Sequence, residues 1–323
     1  MMKSVHAFIW LAALLTGCID DAPRDNPLDP SSSGFLKEGG LTGRIIIANQ
    51  TNGIAGATVW NLTESIAVVT DSSGNFSFEK LSSGSQRFVV TKTNFTDDTF
   101  QTTIQSGATA QVVRELNGAP FVTFQQIQTR KIDYFSFSPR YFVDVSAAVN
   151  DPNGIADLDS VWFGVDTIRF PLSYSVSEKK FLATVEKGSF PTNTIEWLIN
   201  KPLRIISKDI HGAYNLSEAF SISRIIENTA APIRQDTTNT TPLFKWNPPV
   251  VNFNYTSTVT VYRAGTETVV WSNSGLISFF EELQFPADGT VSPLTPGNYF
   301  WTIAIVDDFG NYSRSRESYF VVK

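Results

Sequence analysis

The chain has 323 residues, too many for one small β domain, and its hydrophobic fraction of 42% is ample for packed cores, which excludes wholesale disorder. Charged residues make up only 17%, a profile that favours β-sheet with polar turns over exposed helices laced with Lys and Glu. The formal charge of -6 and the absence of any basic run disfavour nucleic-acid binding through phosphate contacts.

The N-terminus reads as a targeting segment. Lys3 supplies a short positive region, and residues 7–15 (AFIWLAALL) form an apolar run too short for a membrane-spanning helix, which needs about 20 residues. Leu15-Thr16-Gly17-Cys18 follows, with Cys18 the only cysteine of the chain. Charge, apolar run, small residues and cysteine stand in the order of a bacterial lipobox, and the segment resembles one. The resemblance implies a signal peptide over 1–17, cleavage before Cys18, lipid on its sulfur, and a membrane-anchored lipoprotein of the bacterial cell envelope, in the outer membrane. Disulfides then contribute nothing to the fold. Residues 20–38, rich in Pro, Ser and acids, have no periodic apolar face and read as a disordered tether, so that 18–38 joins the lipidated cysteine to the folded part. Asp20 and Asp21 also resemble the surface-export signal of Bacteroidetes lipoproteins.

A first module is expected over 39–117. Short β-branched segments alternate with NG, SGN and SG turns every eight to twelve residues, the pattern of an all-β sandwich. In DSSGNFSF, Asp71 can close a turn and Gly74 can take positive φ, returning Phe76 and Phe78 to the core. Gly43, Ile54-Ala55-Gly56-Ala57, Val59, Thr70-Asp71, Gly74-Asn75-Phe76, Leu81 and Gly84 together resemble the carboxypeptidase regulatory-like (transthyretin-like) domain. That resemblance implies a seven-stranded sandwich with no catalytic residues of its own.

The second module, 118–227, is less distinctive and reads as an immunoglobulin-like sandwich. The third, 228–323, carries clearer marks. PLFKWNPP puts Phe244 and Trp246 on one face and Lys245 on the other, and Pro248-Pro249 end the strand. LTPGNYFWTIAIVD aligns Tyr299, Trp301, Ile303 and Ile305 on one face. Leu294, Gly297 and Tyr299 look like a tyrosine corner, and the whole resembles a fibronectin type III domain. Modules two and three end alike, with Asp209, Gly212 and Asn215 roughly parallel to Asp308, Gly310 and Asn311 at a different spacing. The expected architecture is therefore all-β, three tandem sandwich modules behind a signal peptide and tether.

Chemistry is scarce. Past the leader the only histidine is His211, in a turn, so triad catalysis would rest on it alone. No His/Cys cluster suits zinc, and no GxSxG, GxGxxG or P-loop pattern occurs. The reading is a protein that is not an enzyme and needs no cofactor. One candidate cation site is NDPNGIADLDS, where Asp151, Asn153, Asp157 and Asp159 offer oxygens to Ca2+, although Asp and Asn equally favour turns. Aromatics at 13% raise glycan binding. If Ala57 and Val59 point inward, Trp60 points outward, as a sugar platform, a contact with another module or a singly exposed residue. Trp271 is ambiguous because its strand text is short, and stands beside Trp60 as a candidate ligand contact. The function expected is presentation of β-sandwich modules for adhesion, protein binding or envelope assembly, with carbohydrate binding as the alternative. The partners are the membrane, through lipid, and an envelope protein or glycan.

Overall fold

Strands and tight turns account for almost all the regular structure. The computed structural model describes residues 29, 31, 32, 37–222, 224–286 and 290–323. Cys18, the leader and most of the tether lie outside these residues. Among the described residues no helix is long and apolar enough to cross a membrane. The residues fall into two compact units that meet in sequence at Gly118 and Ala119.

The first unit is a seven-stranded sandwich. One sheet holds Asn75–Ser82, Glu38–Ile47 and Thr109–Leu116, with the last pair parallel. The other runs Ile66–Val69, Thr58–Asn61, Gly84–Thr91 and Asp98–Ile104, all antiparallel. Alternate residues of both sheets (Leu41, Ile45, Val59, Phe76, Phe78, Phe88, Val90) fill the space between them. Gly43 is required here because a Cβ at this position would lie 2.5 Å from the Phe76 ring, which crosses the strand. Asp71 accepts the backbone N–H groups of Ser73 and Asn75, Gly74 sits at φ 82°, and Phe76 and Phe78 turn into the core as expected.

The second unit contains two hydrophobic cores. One gathers Val143, Val145, Val161, Phe163, Leu203 and Ile205. The other gathers Phe244, Trp246, Trp271, Tyr299, Trp301 and Phe320. The chain passes from the first to the second at Ile225 and Ile226. The first core is closed on one side by Ile168–Pro171, Leu158–Val165, Leu203–Asp209 and Tyr214–Leu216. On the other side Ser173–Ser175, Lys180–Glu186, Arg140–Asn150 and Phe121–Ile132 form a sheet that does not stop at the module edge. Arg130, Lys131 and Ile132 pair in parallel with Tyr312, Ser313 and Arg314. The sheet thus continues into Gly297–Asp307, Tyr255–Arg263 and Thr268–Ile277, and with Ser318–Val322 and Thr237–Thr238 attached beside Gly297–Asp307 it has ten strands in all. The two C-terminal sandwiches share one hydrogen-bonded sheet instead of hanging as separate beads.

Local details of the last sandwich follow the residue pattern. Phe244 and Trp246 are buried around exposed Lys245, and the strand Leu243–Asn247 stops at the prolines. The Tyr299 hydroxyl donates to the Thr295 carbonyl at 2.9 Å, closing the corner. Trp271 is only 8% exposed, stacked on Phe244 and tilted against Phe285, so it is a residue of this core and not an open platform like Trp60.

The repeated ending of the two sandwiches is in better register than its text suggests. Asp209, Gly212, Ala213 and Ser217 correspond to Asp307, Gly310, Asn311 and Ser315 with no spacing difference. Asp209 Oδ1 accepts Ala213 N–H and Asp307 Oδ1 accepts Asn311 N–H. Gly212 and Gly310 take φ 93° and 83°. The Ser217 and Ser315 hydroxyls accept the N–H groups of Ile205 and Ile303.

Candidate functional site

Two places in the second unit gather groups that the cores do not consume. The first is a groove of about 730 Å3 along the segment that links Phe121–Ile132 to Arg140–Asn150. That segment, DYFSFSP, carries aromatic rings on a Ser/Pro-rich turn, where no alternating strand directs them inward. Phe137 is 76% exposed, and Phe135 and Tyr319 are also open to solvent. Their rings meet in edge-on pairs, Tyr134 with Phe137 at 6.4 Å and Phe135 with Tyr319 at 5.6 Å. Tyr262 and Phe300, stacked at 4.7 Å and 9°, extend the aromatic wall along the same sheet.

Charged groups border these rings. Arg140 makes two 2.9 Å bonds to Glu186. Glu317 accepts from Arg314 and from the backbone N–H of Phe135, which pins the turn against the last hairpin. The groove therefore offers ring faces beside paired donors and acceptors, the combination of an apolar floor and a few placed polar groups that small ligands use. The signal in the sequence was the run of aromatics inside a turn, next to an arginine.

The second place is at one end of the middle sandwich. Asp151 ends its strand's extension and accepts the Asn153 N–H at 2.7 Å, and a short 3-10 turn, Ile155–Asp157, follows. Asp157 and Asp209 are buried, and carboxylate oxygens of Asp151, Asp157 and Asp209 lie within 4.8 Å of one another. Burial pushes the Asp151 carboxyl up to about 6, against the Asn153 hydrogen bond, with the charges of Asp157 and Asp209 adding to the rise. Of the four residues expected to act together, Asp151 and Asp157 do converge. Asn153 serves through its backbone N–H. Asp159 does not join them: it is the second residue of strand Leu158–Val165, and pleat alternation turns it to the exposed face, 3.7 Å from Lys208. Asp209, from a turn some fifty residues on, takes its place.

The remaining candidates are simpler. Trp60 faces outward as expected, 42% exposed, between Val59 and Asn61, which are fully buried. His211 lies exposed in its turn, with Nε2 3.4 Å from Asp157 Oδ1.

Sheet order, the Gly43–Phe76 crossing and the Asp71 turn all sit in one stretch. Residues 41–120 match the family model of the CarboxypepD_reg-like domain. The first unit is thus a CarboxypepD_reg-like sandwich, and the match ends where the second unit begins. No curated protein matches the chain. Among solved structures, the major pilin subunit BcpA of Bacillus cereus is 11% identical over 85% of this chain and 91% of its own, with a TM-score of 0.29. The FN1–FN3 domains of chicken CNTN1 are 9% identical over 84% and 92%, with a TM-score of 0.29. A DUF3823 family protein from Bacteroides ovatus is 17% identical over 57% and 97%, with a TM-score of 0.25. At these scores the likenesses carry no argument about what the chain binds.

Proposed function

We propose that the protein is a non-catalytic lipoprotein of the bacterial cell envelope that presents β-sandwich modules for binding, and that the aromatic groove beside residues 134–138 takes a glycan. The observation that carries this reading is the set of open rings (Phe135, Phe137, Tyr319) flanked by the Arg140–Glu186 and Arg314–Glu317 pairs. Sugar rings stack their C–H faces on such aromatics, while hydroxyls exchange hydrogen bonds with guanidinium and carboxylate groups. Affinity electrophoresis or calorimetry of the full chain against a panel of soluble polysaccharides tests it. Phe137→Ala and Tyr319→Ala are each expected to weaken binding at least tenfold, about 1.4 kcal/mol, without moving the melting temperature by more than about 2 °C. A panel with no binder, or binding that survives both changes, defeats the glycan reading.

A second reading, a protein partner in adhesion or envelope assembly, is favoured by the outer face of the CarboxypepD_reg-like module. There Trp60 and Val69, on the outer side of their paired strands, are exposed. Trp60→Ala separates the two: it leaves groove-dependent glycan binding intact and abolishes capture of a partner by that face.

The anchor rests on Leu15-Thr16-Gly17-Cys18. Each buried CH2 of acyl chain contributes about 0.8 kcal/mol, so two or three chains on Cys18 hold the protein stably where one would not. Cys18→Ser is expected to release the protein from the membrane fraction and to block processing of the leader. Membrane retention with normal processing would remove the lipoprotein assignment.

A further inference from the structure

Among the described residues one turn design occurs three times. It is an aspartate closing a hairpin, a glycine at positive φ three residues later, and a backbone N–H at the fourth residue donating to the aspartate. In the first and third sandwiches the fourth residue is an asparagine whose amide also donates to the aspartate's second oxygen, Asn75 to Asp71 and Asn311 to Asp307. Asp307, the buried one of these two, further receives Arg224 at 3.0 Å. Its carboxylate is thus surrounded by donors and faces a full positive charge.

In the middle sandwich the same position has Ala213, which brings no side-chain donor. Where the third sandwich places a guanidinium beside the buried aspartate, the middle one places two more carboxylates, Asp151 and Asp157. The side chain of Asp157 is 9% exposed, and its Oδ2 is buried with no hydrogen-bond partner. Asp151 Oδ2 is in the same condition. Carboxylate oxygens buried against one another without a donor are tolerated where a cation sits among them. The titratable group facing them is His211, exposed and in contact with Asp157 Oδ1.

We propose that Asp151, Asp157 and Asp209 form a divalent-cation site and that its ion is Ca2+, occupying the role Arg224 fills in the neighbouring sandwich. Three carboxylates with backbone carbonyls and water supply the all-oxygen set a hard cation takes, and loop-borne ligands suit the loose geometry of Ca2+ better than the strict octahedron of Mg2+. The ion would tie the loop 151–157 to the turn after strand Leu203–Asp209, fixing one end of the middle sandwich. Asp159, paired with Lys208, takes no part.

The test uses the full chain stripped with chelator and titrated with CaCl2 or MgCl2, read by calorimetry and by thermal melting. Expected are one Ca2+ bound with Kd about 10⁻⁴ M, a rise in melting temperature in millimolar Ca2+, and a much smaller response to Mg2+. Asp157→Asn, nearly isosteric, is expected to weaken Ca2+ at least tenfold. In chelator the same variant melts at or above the parent, because it removes one of three crowded carboxyl groups. Asp159→Asn leaves both readouts unchanged. The proposal is overturned if the parent neither binds Ca2+ nor gains stability from it, if Asp159→Asn loses binding as Asp157→Asn does, or if Mg2+ binds equally well.

Discussion

Replacing Trp301 by alanine is expected to destabilise the second unit by about 3–5 kcal/mol, the usual range for emptying a buried aromatic site. For a unit of this size the melting temperature then falls by about 6–20 °C. Trp301 is fully buried in the middle of strand Gly297–Asp307, which pairs with Tyr255–Arg263 on one side and Ser318–Val322 on the other. Its ring packs against Phe244 at 5.0 Å and Trp246 at 6.5 Å, both from the opposite sheet. These partners sit on strands hydrogen-bonded into their own sheets, so the cavity cannot collapse and most of the lost contact is not recovered. Trp301→Phe keeps part of the ring and should cost less than half as much. A urea midpoint for Trp301→Ala within experimental error of the parent would mean that this core does not carry the stability of the unit.

How much of this could be read in advance depends on sequence separation. The alternation Phe244–Lys245–Trp246, the Tyr299 corner and the Gly74 turn are short-range patterns, and each is found as read, because side-chain period and turn chemistry act within a few residues. Trp271 was ambiguous for a physical reason. In strand Thr268–Ile277 it is the one buried position, and the pairing with Tyr255–Arg263 shifts register near it, so no alternation marks its face. The shared ten-stranded sheet hinges on three residue pairs between Arg130–Ile132 and Tyr312–Arg314, some 180 residues apart, and no local pattern signals such a pairing. The acidic site was half legible. Asp151 and Asp157 lie in one turn-rich segment, but the start of strand Leu158–Val165 turns Asp159 away, and Asp209 arrives through the pairing of Leu158 with Asp209. The groove aromatics carry no such mark, because they are Phe and Tyr in a turn, where no strand alternation separates an exposed ring from a buried one.

Asp307→Ala tests what the neutralised version of the acidic turn contributes, and its effect should rival that of Trp301→Ala. The carboxylate is completely buried and receives four donors: the N–H groups of Phe309 and Asn311, the Asn311 amide and Arg224. Removing it strands a guanidinium held over Phe253 and Phe309 and leaves two backbone donors without their acceptor, which places the cost at about 3–5 kcal/mol. The damage should also spread. Asn311, oriented by Asp307, accepts from the N–H and hydroxyl of Thr129, and Thr129 adjoins Arg130, where the two sandwiches begin to share their sheet. Loosening Asn311 therefore weakens the seam as well as the turn, and unfolding followed at the two cores by separate probes should lose its coincidence. Asp71→Ala removes the same turn from the first sandwich, where the carboxylate is exposed and has no guanidinium bonded to it, and should shift stability far less. Equal effects from the two changes would mean that the turn hydrogen bonds alone matter, and that neither burial nor Arg224 gives Asp307 its weight.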